Sequence, residues 1–149
     1  MKVEKLDSVS IGVKNLDEAE KLFSDLFGMT FKRVPYGEVE HKREMADSAG
    51  DAHRSFVGTS RRAAISPMGL RLVEMNPPVE KEGVRVFYLK VTDIEQAVAE
   101  MKRKGIRLLH ETKVGNVKQA QFNPDDLHGC RIDLIEYEGP SAIDAVLRK

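Results

Sequence analysis

The stretch Leu6–Glu20, LDSVSIGVKNLDEAE, joins two periodicities in a few residues. Val9, Ile11 and Val13 alternate with Ser8, Ser10 and Gly12, the period-two pattern of a half-buried strand. Asn15 then stands where a helix cap belongs, and Glu18, three residues on, can reach back to the cap amide. The same pattern recurs at Arg85–Glu100, RVFYLKVTDIEQAVAE, where Val91, Ile94 and Ala97 fall 78 positions after Val13, Leu16 and Ala19. A strand running into a capped helix, written twice, predicts a duplicated module.

Outward from this stretch, both halves continue in one order. The first reads as a strand over Lys5–Lys14 and a helix over Leu16–Phe27, with Leu16, Ala19, Phe23, Leu26 and Phe27 on one face and Gly28 as its stop. Strands follow at Thr30–Pro35, Arg61–Ser66 and Leu70–Met75, and the polar run from Tyr36 to Ser60 reads as a long loop or mobile hairpin. The second half gives a strand at Arg85–Val91, a capping box at Thr92 and Glu95, a helix to Lys104, and strands at Ile106–His110, Val117–Phe122 and Cys130–Tyr137. Leu70–Glu74 (LRLVE) and Ile132–Glu136 (IDLIE) end the halves alike. The division is 1–78, 79–138 and a tail 139–149 in which Pro140 suits the start of a short helix, all fused in one domain.

Bulk properties exclude several classes of function. The 149 residues suit one domain, and 41% hydrophobic with 32% charged residues is an ordinary globular balance. Lys+Arg 24 against Asp+Glu 24 provides no general attraction to nucleic acid. Cys130, the single cysteine, excludes an intrachain disulfide and fits a reducing compartment. No apolar run approaches the roughly 18 residues of a membrane span, and MKVEKLDS lacks the apolar core of a signal peptide. The expectation is a cytoplasmic protein with neither nucleic acid nor membrane as partner.

Strand alternation also lists the residues that turn away from the helices. They are Ser8, Ser10 and Gly12; Arg71, Val73 and Met75; Val86, Tyr88 and Lys90; and Arg131, Asp133, Ile135 and Tyr137. Small, aromatic and charged residues together suit the wall of a concave pocket with a few convergent polar groups. Ser8, Ser10, Arg71, Tyr88, Lys90, Arg131, Asp133 and Tyr137 are therefore the candidate ligand-binding residues.

The arrangement resembles the vicinal oxygen chelate superfamily of glyoxalase I, methylmalonyl-CoA epimerase, extradiol dioxygenases and bleomycin-resistance proteins. LDSVSIGVKNLDEAEKLFSDLFGM, VFYLKVTDIEQAVAEMKRKGI and FNPDDLHGCRIDLIE carry the resemblance, the last pointing to the epimerase branch. It implies an α+β fold of two tandem βαβββ modules curved around a pocket, and a homodimer. It also implies a divalent metal held by four side chains, one from each central strand, at the places here taken by Ser8, Arg71, Val86 and Asp133. Of these only Asp133 suits a metal; Val86 has no donor, and Arg71 is a permanent cation. No metal and no other cofactor is expected.

Arg71 and Asp133 occupy equivalent places in the repeats, so the simplest expectation is that they pair at the vacated centre, with Ser8 near by. His41 and His53 fall in the polar loop, and His110 and His128 lack a recognisable ligand spacing. Cys130 is expected to pack against a helix with Ile132 and Leu134. No Ser–His–Asp, phosphate-loop or dinucleotide fingerprint is visible. The leading expectation is a metal-independent binder of a small anionic or aromatic molecule. Its competitors are a metal-dependent lyase, epimerase or dioxygenase built on Asp133 with His41 or His53, and a non-catalytic subunit with a vestigial pocket.

Overall fold

Residues 1–35, 39–43 and 59–148 are described by a computed structural model of the chain, which at 39–43 and 59 fixes the backbone. The first module runs β1 (Val3–Val13), α1 (Leu16–Phe27), β2 (Lys32–Arg33), β3 (Val39–Arg43), β4 (Thr59–Ile65) and β5 (Leu70–Asn76). The second runs β6 (Gly83–Val91), α2 (Ile94–Arg103), β7 (Leu108–Val114), β8 (Val117–Phe122) and β9 (Ile132–Glu136), and α3 (Ala142–Leu147) follows it. The strands form one mixed sheet in the order β2-β4-β5-β1-β6-β9-β8-β7-β3. β1 and β6 pair antiparallel at its middle, and each pairs parallel with the last strand of its own module. This is the α+β arrangement of two βαβββ units expected from the repeat.

One strand departs from the repeat. β3 lies inside the stretch read as a loop and pairs with β7 at the far edge of the sheet from β2. Arg33 and Val39 are six residues apart, a span of at most about 20 Å. Nine strands laid flat would separate those edges by roughly 38 Å. The sheet therefore curls, and its concave side faces inward on itself. The rest of the stretch read as a loop, residues 36–38 and 44–58 with His53, lies outside the described residues.

α1 and α2 cover the convex side. Asn15 accepts from the Glu18 amide at 3.1 Å, as the sequence predicts, and Gly28 closes α1 in the left-handed region at φ 64°. In the second module the cap is Asp93, accepting from the Gln96 amide at 3.0 Å, one residue beyond the predicted Thr92. The shared glutamates of LRLVE and IDLIE have matching jobs. Glu74 accepts from the Leu16 amide at 2.9 Å and Glu136 from the Ile94 amide at 3.1 Å, so each module's last strand holds the start of its own helix.

α2 buries Ile94, Ala97 and Val98 against Leu108, Phe122 and Leu134. α1 covers less: Leu16, Ala19 and Phe23 pack on Leu72 and Ala64, while Leu26 and Phe27, predicted for that face, stay exposed. Cys130 is exposed as well, because β9 begins only at Ile132 and the cysteine lies in the preceding turn. No helix among the described residues is long and apolar enough to cross a membrane.

Candidate functional site

Ser8, Arg71, Val86 and Asp133 lie on β1, β5, β6 and β9, four adjacent strands, and all are buried. Arg71 and Val86 are both opposite Ser10, and Ser8 and Asp133 are both opposite Tyr88, so two neighbouring rows of the inner face carry the centre. A register slip adds one more residue. Leu6 stands opposite Leu89 and Ser8 opposite Tyr88, which leaves Asp7 as the extra residue of a bulge. Its side chain is buried beside Ser8 rather than on the opposite face, where strict alternation would put it.

Asp7 takes the role the sequence assigned to Asp133. The Arg71 guanidinium donates from Nε to Ser8 Oγ at 2.8 Å and approaches Asp7 Oδ2 at 3.6 Å through Nη2. It lies over the Tyr88 ring with 3.9 Å to the centroid. Ser8 Oγ and the Tyr137 hydroxyl donate to the two oxygens of Asp7. Arg71 and Asp133 make no ion pair, contrary to the expectation. Their strands are three spacings apart, roughly 14 Å between backbones, and the aspartate is too short to cover its share. Arg71 Nη2 and Asp133 Oδ1 are instead both buried without a hydrogen-bond partner. Burial pushes the Asp133 carboxyl up to about 7, against a smaller lowering by Arg71.

The remaining candidates surround this centre. Lys90 pairs with Glu4 at 3.1 Å and rests 4.3 Å from the Tyr137 ring centroid. Burial, with Asp7 beside it, holds the Tyr137 phenol far above its ordinary value. Ser10 is 1% exposed between Arg71 and Val86. Arg131 is half-buried next to Arg85, whose guanidinium is lowered to about 10 by burial and then by Arg131. The wall thus gathers two arginines at one end and a paired lysine at the other.

The concave side is not open along its length. α3 buries Ala142, Ile143, Ala145 and Val146 against Val86, Tyr88, Ile135 and Tyr137, the very face predicted to line a pocket. A shallow cleft, open to solvent, remains between the start of α3 and the turn at Ser66–Gly69. Asp7, Ser8 and Tyr137 line it, together with Lys5 and Ser141.

Sequence reasoning missed Asp7, because nothing in LDSVS marks a bulge. It also missed the destination of α3, although Ala142, Ile143, Ala145 and Val146 are all apolar. The superfamily's metal does not fit this centre: Arg71 fills it with a fixed positive charge, and Val86 offers no lone pair. Among the described residues no three of His, Cys, Asp and Glu are grouped so as to hold a metal ion. His110 lies on β7 and His128 in an exposed turn at φ 56°.

The fold has clear relatives among solved structures. A variant methylmalonyl-CoA epimerase from Streptomyces coelicolor, in complex with 2-nitronate-propionyl-CoA, matches with a TM-score of 0.63 at 19% identity over 93% of this chain and 100% of that one. The methylmalonyl-CoA epimerase of Mycobacterium tuberculosis gives 0.64 at 21%, over 92% and 90%. A hypothetical protein from Bacillus halodurans gives 0.62 at 17%, over 91% and 95%. No curated protein matches the chain by sequence. The family model of the glyoxalase, bleomycin resistance protein and dioxygenase superfamily matches residues 5–134, which span both modules and every residue of the arginine centre except Tyr137, and the chain belongs to that superfamily.

Proposed function

We propose that this protein binds a small organic anion at the arginine centre without a metal. The observation that carries the reading is the Arg71 guanidinium: buried, stacked on Tyr88, fixed by Ser8, and holding Nη2 without a hydrogen-bond partner. A buried donor prepared in this way favours an acceptor that brings negative charge. Tyr88 offers an aromatic wall, Asp133 a second polar contact, and Ser8, Ser10 and Tyr137 smaller ones. Arg131, beside Arg85, adds positive potential at one end. The epimerases above act on or bind acyl-CoA compounds, and this supports an anionic acyl or aromatic ligand here. The metal-dependent reading has one carboxylate among four ligand places to rest on, and it is the weaker of the two.

The test is calorimetric titration of a carboxylate series into the wild-type chain and into Arg71→Met. Binding that falls at least tenfold in Arg71→Met, with both proteins folded, supports the reading; equal binding overturns it. The same reading takes the chain as a cytoplasmic homodimer, supported by the exposed Leu22, Leu26 and Phe27 of α1. Sedimentation equilibrium tests the pairing.

A further inference from the structure

The occupant of the concave side is a segment of the chain itself, and its fit there is uneven. α3 contributes aliphatic side chains, Ala142, Ile143, Ala145 and Val146, to the layer formed by Val86, Tyr88, Ile135 and Tyr137. In the same face Arg71 Nη2 and Asp133 Oδ1 stay unsatisfied although buried. A permanent core element satisfies the polar groups buried with it. This one leaves Asp133 Oδ1 bare, and Arg71 Nη2 unbonded with Asp7 Oδ2 3.6 Å away.

The polar ties of α3 are few and lie at its rim. The Asn116 amide reaches the Ala145 carbonyl at 3.3 Å, and Asn116 Nδ2 reaches the Arg148 carbonyl at 3.0 Å. Arg148 Nη2 donates to the Glu138 carbonyl at 2.5 Å. Lys32 and Asp144 are 3.9 Å apart. A helix of six residues has no stability of its own, so it persists here through its apolar contacts and these few ties. The docking also requires a glycine opposite: Gly115 sits at φ 56°, and a Cβ there would collide with the Val146 carbonyl oxygen.

We infer that α3 is a displaceable stand-in for the ligand, and that the inner face takes an amphiphilic carboxylate whose acid group bonds Arg71 while its branched or aromatic body replaces the aliphatic side chains of α3. The inference deepens the anion-binding reading and rests on it. It adds what the ligand must carry besides charge, namely apolar bulk comparable to four small aliphatic side chains. It also adds what the protein must do to admit it. Binding becomes a competition between the ligand and the chain's own helix, so the measured affinity is reduced by the fraction of molecules in which α3 is docked.

The experiment uses the full chain, 2-naphthoate as an aromatic carboxylate probe, and 2-naphthalenemethanol as its uncharged counterpart. Titration calorimetry gives the affinity, and hydrogen exchange follows the α3 amides of Ala145 and Arg148, which are bonded to Ser141 and Asp144 in the docked helix. We expect saturating naphthoate to speed exchange at both amides in the wild-type protein. Gly115→Ala, which crowds α3 off its seat, should bind naphthoate about tenfold more tightly. Arg71→Met should bind the acid no better than the alcohol in either background. If naphthoate binds with Arg71 dependence, but α3 exchange is unchanged and Gly115→Ala gains nothing, the displacement is wrong and the anion site stands. If binding is indifferent to Arg71, or no chain binds at millimolar probe, the anion reading fails and this inference with it. Should Gly115→Ala not fold, Asn116→Ala takes its place, and wild-type exchange alone still decides whether α3 leaves.

Discussion

Arg71 and Asp133 hold the same place in two copies of one module, each on the strand that pairs parallel with the first strand of its half. Their surroundings could hardly differ more. Arg71 has Ser8, Asp7 and the Tyr88 ring, whereas Asp133 has a buried oxygen with nothing bonded to it. On the convex side the same two strands match closely, down to a glutamate holding the first amide of each helix. The backbone scaffold is shared between the copies, and the chemistry lies where the copies diverge. A single bulge accounts for much of that divergence, because it brings Asp7 inward beside Ser8 and lets the first half keep its cation neutralised without help from the second.

The sharpest way to break this comparison is to remove the cation. Arg71→Met keeps the volume and leaves Asp7 buried with only two hydroxyl donors, so it should destabilise by about 3–5 kcal/mol in urea unfolding. Double-mutant cycles with Asp7→Asn and Asp133→Asn then identify the partner. The coupling to Asp7 should be the larger by at least about 1 kcal/mol. A larger coupling to Asp133 would restore the pairing predicted from the repeat.

Asp133 should behave in the opposite sense. Its folded carboxyl keeps a proton up to about pH 7, whereas the unfolded chain releases it near 3.8. Between those values the folded state binds the extra proton, so stability falls as pH rises and levels off above about 7. Asp133→Asn removes the slope and should gain a few kcal/mol over wild type at pH 8, and little at pH 4. Unfolding curves across that range check it, and a wild-type profile flat from pH 4 to 7 would show the carboxyl is not buried in this way.

The two glutamates sharpen the convex half of the comparison. Glu74 is 5% exposed and also pairs with Arg62 at 2.8 Å and Arg61 at 3.0 Å, while Glu136 is 31% exposed with Lys118 at 3.8 Å. Glu74→Ala should therefore cost about 1–2 kcal/mol more than Glu136→Ala by thermal unfolding. The bonds from Arg62 and the Leu16 amide hold the Glu74 carboxyl below its ordinary value. Its contribution is accordingly present above pH 4.5 and disappears as the pH falls through the lowered folded value.

How much of this could be read in the sequence follows the same division. Helix limits, the central strands and the inner-face residues follow from period and caps, because both depend on neighbours within a few positions. Asp7, the Arg71 partner and the seat of α3 depend on contacts between strands far apart in the chain. The Asp7–Tyr137 bond joins residues 130 positions apart. Leu26 and Phe27 show the limit from the other side: the helical period marks them as apolar, but only Leu16, Ala19 and Phe23 of that face join the cluster around Leu72.

The smallest expected effect tests how independent the shared scaffold is. Asn15 and Asp93 cap α1 and α2 through bonds of 3.1 and 3.0 Å to the third helical amide, and both sit on the convex side away from the arginine centre. Each alanine substitution should cost about 1 kcal/mol, and the two costs should agree despite the different residue types. Because the helices pack on separate clusters, Leu72 beneath α1 and Leu134 beneath α2, the double variant should lose the sum to within about 0.5 kcal/mol. A clear excess would mean that the modules communicate across the β1–β6 seam, and then the asymmetry of the inner face could no longer be treated as local to Asp7, Arg71 and Asp133. Additivity would confine it there.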